Sequence, residues 1–241
     1  MAQHVDRVGA PERHTDGPHQ ATSPSTTTRT TSKRWWHRPW ILPLVVLNSA
    51  FLLFVLPPYL NLDRNEALIG LAEDFPLHYP ILVLHIVFGT TALVTLCLQV
   101  WPWLRQHHPA VHRISGRIYV LGGAIPSALL ALVLAPFAAV PIGILGGATA
   151  GVLWLVTSVI GFHMARRRRY TDHRRWMIYS FAFALQTIWG RILVITTQLT
   201  GLEIDPIVLG EAGGWLGWIF NLFVAQWWLE RTARRRSRLP A

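Results

Sequence analysis

Three polar side chains, His85, Arg191 and Asn221, stand inside otherwise apolar stretches of this chain. Such groups are costly in hydrocarbon and serve there as functional sites or as structural pins. Counted at about 1.5 Å of helical rise per residue from the outer end of its stretch, His85 lies roughly 8 Å deep, Asn221 roughly 10 Å and Arg191 roughly 12 Å. Three helices therefore carry hydrogen-bonding groups at one level of the outer half. Thr187 and Gln198 share the Arg191 face, while Gly214, Gly217 and Ala225 share that of Asn221 and let another helix come close. A polar cavity for an anionic or redox-active ligand fits this pattern. So does a structural arginine that snorkels, with His85 neutral and hydrogen-bonded.

A second cluster belongs to the inner face. His107, His108, His112, Arg113 and Arg117 lead into one apolar stretch, His163 ends the next, and Asp172, His173, Arg174 and Arg175 lead into the following one. His112, Gly116 and Tyr119 fall on one helical face, with Arg113 and Arg117 as the adjacent stripe. Asp172 beside His173 offers a carboxylate to an imidazole, as metal and haem ligands often use. Haem b needs axial ligands, often histidine. The outer level supplies His78 and His85 from a single helix, so His112 and His173 are the haem-ligand candidates, with His163 nearby. A quinone or another lipid-like ligand is the other redox possibility. An ordinary cation-rich inner loop explains the same residues without a ligand.

These residues need a scaffold, and its pattern is plain. Six apolar stretches, Trp40–Leu60, Pro80–Leu104, Ile118–Val140, Ile142–Ala165, Trp176–Leu199 and Gly214–Leu229, each approach the roughly 20 residues that cross a hydrocarbon core. All of the 22 Lys and Arg except Arg64 and Arg191 fall in the two tails and the even-numbered connections. Asp63, Glu66, Glu73, Asp74, Glu203, Asp205 and Glu211 fall in the opposite loops. Short cation-rich loops stay cytoplasmic. The expected fold is therefore an all-α polytopic membrane bundle of six transmembrane helices, both termini cytoplasmic, multi-pass in a bacterial inner membrane. It divides into a disordered polar tail (residues 1–34), a transmembrane domain (35–230) and a basic C-terminal tail (231–241). The first stretch follows a long polar leader and reads as an uncleaved signal anchor.

The net charge of +10 is juxtamembrane. It suits orientation and anionic lipid headgroups, and no nucleic-acid partner is expected. The single cysteine, Cys97, excludes an intramolecular disulfide and reads as a small buried residue. No Walker loop, His-Glu-x-x-His or Gly-x-Ser-x-Gly is present, so no hydrolase or nucleotide chemistry is indicated. Acidic residues are absent from the stretch interiors, Glu230 lying at the inner end of the sixth, which argues against a carboxylate-driven cation transporter. Gly143, Gly146, Gly147 and Gly151 read as a close-packing helix face.

The motifs LHIVFG around His85, QVWPW (Gln99 to Trp103), HRISGRIY (His112 to Tyr119), HRRWMIYS (His173 to Ser180), Arg191 and NLFVAQW (Asn221 to Trp227) occur in that order. Over roughly residues 78–230 the chain resembles the bacterial membrane proteins grouped as DUF2306, a domain of unknown function. His85, His112, Arg113, Gly116, Arg117, Tyr119, His173, Trp176, Met177, Arg191 and Asn221 match the motif positions of that family. The resemblance implies a helical membrane domain and names no reaction. Two positions depart from it: Tyr179 stands where the family often has a basic residue, and Gln226 where it often has an acidic one. The lost carboxylate weakens any mechanism that needs a proton acceptor at Gln226.

Overall fold

Apolar runs interrupted by proline and glycine set the helix boundaries in the computed structural model, which describes residues 40–138 and 142–237, the last three as backbone. Every regular element among the described residues is a helix. In order these are α1 (Ile41–Val55), α2 (Pro57–Leu60), α3 (His78–Gln99), α4 (Pro102–His107), α5 (Pro109–Tyr119), α6 (Ile125–Leu134), α7 (Ile144–Arg166), α8 (Tyr170–Ala184), α9 (Gln186–Thr200) and α10 (Pro206–Ser237). A π-helical turn, Val120–Ala124, joins α5 to α6 into one long rod. The expected tail 1–34 lies outside the described residues, as does part of the tight turn expected at Ala135–Gly143.

Among the described residues, five helical rods are long and apolar enough to cross a membrane: His78–Gln99, Pro109–Phe137, Ile144–Arg166, Tyr170–Thr200 and Pro206–Arg234. The protein is a polytopic helical membrane bundle. The first expected span differs from these. Its helix stops at Val55 after 15 residues, and a short turn of helix follows from Pro57. Consecutive prolines Pro57 and Pro58 remove two backbone donors and break the ladder there.

Other boundaries move as well: the second expected span ends at Gln99 rather than Leu104, and the third and fifth begin at Pro109 and Tyr170 rather than Ile118 and Trp176. The acidic loop expected at Thr200–Gly213 is helical from Pro206 onward, because Asp205 accepts the Ile207 N–H (2.7 Å) and Pro206 opens the first turn. At its other end α10 runs past Glu230 to Ser237, so the basic tail begins as helix. The first outer loop is knitted rather than slack. The Leu68 N–H donates to the Tyr59 hydroxyl, the Ala72 N–H donates to buried His78 Nδ1, and the Tyr79 hydroxyl donates to the Asp63 carbonyl.

The core sits between α3, the α5–α6 rod, α7 and α8, around Ala92, Leu96, Tyr119, Ala124, Ala150, Trp154 and Phe183. Small residues bring the backbones together. A Cβ on Gly123 would stand 2.9 Å from the Ala92 backbone, and one on Gly146 would stand 2.6 Å from the Gly214 carbonyl. Gly143 adds a left-handed φ of 74° at the start of α7, and its N–H donates to Glu211 Oε1 on α10 (2.8 Å). These contacts seat the outer ends of α7 and α10 against each other. α1 packs mainly along α3.

Candidate functional site

The inner motif residues hold helices together. Gln99, at the end of α3, donates to the His112 carbonyl (2.9 Å) and to Ser115 Oγ (2.7 Å) on α5. Gly116 leaves the space for it, since a Cβ there would meet Gln99 Oε1 at 3.1 Å. One turn further, Tyr119 is wholly buried, and Trp154 Nε1–H donates to its hydroxyl (3.3 Å). That hydroxyl hydrogen-bonds Ser180 Oγ (2.7 Å), which in turn bonds Ser158 Oγ (2.8 Å). The network ties α5, α7 and α8 through buried hydroxyls that satisfy one another. Arg113 and Arg117 are exposed on the far side of α5.

His173 Nδ1–H donates to the Gly161 carbonyl (2.8 Å), leaving Nε2 unbonded among the described residues. Its expected carboxylate partner goes elsewhere: Asp172 pairs with Arg169 at 2.7 Å. Adjacent helical residues point about 100° apart, whereas residues three apart share a face, so Asp172 meets Arg169 instead of His173. His112 lies within electrostatic range of both His173 and Arg105, and its Nδ1 is buried without a partner among the described residues. His163 is exposed on α7 and does not join them.

The outer level separates into parts. Asn221 on α10 accepts Trp189 Nε1–H (2.9 Å) and donates Nδ2–H to the Ala182 carbonyl (2.9 Å). Its amide is committed at the break between α8 and α9. Arg191 is half-buried on α9 and makes no hydrogen bond or ion pair among the described residues. Arg191 thus bonds neither of the two polar residues expected at its level, His85 and Asn221, whose side-chain partners are Ser127, Trp189 and the Ala182 carbonyl.

His85 has a different setting. Its Nδ1 lies 2.9 Å from the Ser127 carbonyl, and Ser127 Oγ donates to the His85 carbonyl at 3.3 Å. A carbonyl accepts only, so Nδ1 carries the proton and a neutral imidazole keeps its Nε2 lone pair. Nε2 has no partner among the described residues. His85 borders a cavity of about 400 Å³ walled by α1, α3, α6, α7, the end of α8, α9 and α10 near Gly213. Phe51, Leu93, Ala131, Trp154 and Phe183 make it mainly apolar; Thr90, Ser127, Gln186 and Thr187 supply its other polar groups. Gly147 and Gly190 also line it, and a Cβ on either would meet nothing within 4 Å. These two glycines border open space, unlike Gly143 and Gly146.

Reading the sequence missed Ser127, Trp154 and Gln186. The available signal was weak: a serine, an indole and an amide inside apolar runs, each able to satisfy itself locally.

Tyr179 and Gln226, the two departures from the family pattern, face each other: the Tyr179 hydroxyl donates to Gln226 Oε1 (2.6 Å). The family described as "Predicted membrane protein (DUF2306)" matches residues 82–229. No curated protein and no solved structure matches the chain.

Proposed function

For this chain, which belongs to the DUF2306 family of predicted membrane proteins, we propose a ligand-binding or carrier role in a bacterial inner membrane, with the ligand held in the cavity at His85. The observation that carries this is an imidazole on a cavity-lining residue, anchored through Nδ1 on the Ser127 carbonyl, whose Nε2 has no partner among the described residues. An acceptor nitrogen in an apolar chamber selects a small amphipathic molecule with one hydrogen-bond donor and an apolar body. About 400 Å³ lies within the usual range of small-molecule sites. Arg191, next to cavity-lining Gly190, is proposed to attract anionic groups to the outer end of α9 without touching the ligand at His85.

The reading includes six spans, with α1 and α2 together as the first, both termini cytoplasmic, and the N-terminal tail as a passive leader. The sorting of Lys and Arg supports it. Reporter fusions at Ala67 and Ala212 are expected to read outside, and those at Ala110 and Tyr170 inside. A reversed reading at any of them requires a different topology.

The test of the site is ligand retention. Protein extracted gently from its native membrane is expected to carry a small molecule detectable by mass spectrometry. His85→Phe, similar in shape but without the acceptor, is expected to lose it by about tenfold or more, the worth of a buried hydrogen bond together with the desolvation of the donor left behind. Equal retention by the variant defeats the proposal.

A second reading is favoured by the Nδ1–H anchor of His173 on Gly161, the orientation typical of a ligating imidazole. It places haem b or a quinone at His112 and His173. A reduced-minus-oxidised haem band in the same sample that survives His85→Phe and disappears in His173→Ala selects haem.

A further inference from the structure

A groove of about 510 Å³ runs along the outside of the bundle between α7, α8 and α10. Leu153, Phe183, Trp218, Ile219, Leu222 and Phe223 line its apolar part; Thr157, Tyr179 and Gln226 line the rest. From Trp218 to Gln226 on α10 it covers about 12 Å of depth, from the middle of the membrane toward the inner face. Phe223 is 71% exposed, so the groove opens sideways rather than into the core.

Its Tyr179–Gln226 end carries the Arg175 cation on the α8 side and the Glu230 carboxylate on the α10 side. The exposed Arg175 donates Nε–H to the Tyr179 hydroxyl (3.3 Å), and its two terminal amino groups have no partner among the described residues. The Arg231 guanidinium lies over the Trp227 ring at 5.0 Å, also exposed. Glu230 is committed to Gln226 at 2.7 Å and lies 3.9 Å from Arg234.

We infer that this groove binds one anionic phospholipid of the inner leaflet, its acyl chain along Phe183, Trp218 and Ile219 and its phosphate at Arg175. Tyr179 aligns the guanidinium through Nε and leaves the fork of terminal donors for phosphate oxygens, a geometry that arginine satisfies and a point charge does not. Phospholipid suits the groove better than a second copy, because an isologous pair would bring two copies of the Arg175 cation into one mouth. The groove lies on the other side of Phe183 from the cavity at His85, the two sharing that residue as a wall.

The test uses full-length protein in nanodiscs of equimolar phosphatidylglycerol and phosphatidylcholine, with retained lipid counted by native mass spectrometry. One phosphatidylglycerol is expected to remain on the wild type after most lipid is stripped. Arg175→Gln is expected to lower that retention about tenfold, the worth of a charge-assisted hydrogen bond. Ile219→Trp, which fills the groove and leaves the charge, is expected to lower it comparably. Arg105→Gln removes the same charge elsewhere on the inner face and is expected to stay within about twofold of wild type, exposed charges being screened over distance. Should Arg175→Gln aggregate, Arg175→Lys and Ile219→Trp carry the test. Equal retention of the two lipids by the wild type, equal losses for Arg105→Gln and Arg175→Gln, unchanged retention in Ile219→Trp, or a stripped dimer without lipid each overturn the inference.

Discussion

Asn221→Leu is expected to lower the yield of folded protein severely. The side chain is nearly the right size, so the loss comes from hydrogen bonding rather than volume. In the native bundle the Asn221 amide accepts Trp189 Nε1–H and donates to the Ala182 carbonyl, both at 2.9 Å. The Ala182 carbonyl lies just before Leu185, where the rod from Tyr170 to Thr200 is interrupted between α8 and α9. Interrupted helices survive in membranes where a neighbour satisfies the freed backbone group, and Asn221 is that neighbour. Leucine strands one donor and one acceptor away from water at about 1–3 kcal/mol each. Alternative partners in the membrane-unfolded state return part of this. The net cost of about 2–4 kcal/mol is a large share of the stability of a typical domain. Thermal denaturation of the detergent-solubilised protein by size-exclusion chromatography reads it. Trp189→Phe strands only the carbonyl oxygen of Asn221 and is expected to cost about half as much. A Leu variant that melts with the wild type shows that Asn221 is dispensable to the fold and reopens it as a ligand contact.

Gly147→Phe is expected to do the opposite: it abolishes ligand retention and leaves the bundle folded. The Gly147 Cβ position meets nothing within 4 Å and faces the cavity bordered by His85. A phenyl group there occupies much of the chamber, and retention is expected to fall by at least about a hundredfold, since overpacking a filled site costs about 1–3 kcal/mol and total occlusion more. Folding gains slightly, because glycine inside a helix costs about 0.5–1 kcal/mol relative to alanine. The neighbouring Gly146→Phe is the contrast: a Cβ there already meets the Gly214 backbone at 2.6 Å, so that variant is expected to fail at the fold. Unchanged ligand retention in a folded Gly147→Phe protein removes the cavity from the functional account.

The membrane class and the helical architecture were legible in the chain, because apolar length and proline or glycine breaks act locally; helix limits were less so, since polar turns continue a rod past its apolar stretch at Pro109, Tyr170, Pro206 and Ser237. The close packing of Gly143, Gly146 and Gly214 was legible for the same local reason, whereas Gly147, read as part of the same face, borders the open cavity. The inner motif could be read as a face, His112, Gly116 and Tyr119 against Arg113 and Arg117, since a helix fixes which residues point together. Its meaning could not. That Gln99 needs the absent side chain of Gly116, and that Tyr119 closes a network with Ser158, Ser180 and Trp154, depends on which helices become neighbours.

The outer level makes the same distinction more sharply. Depth along each stretch placed His85, Arg191 and Asn221 at one height, because rise per residue is a property of the backbone. Height says nothing about rotation around the helix axis or about competing partners. Packing committed the Asn221 amide to Trp189 and Ala182, set His85 on a cavity wall anchored through Nδ1 on Ser127, and left Arg191 and the His85 Nε2 without a bond among the described residues. A side chain's type and depth are local properties of the chain, whereas the hydrogen bonds it keeps depend on segments far away in sequence, such as the 42 positions that separate Ser127 from His85.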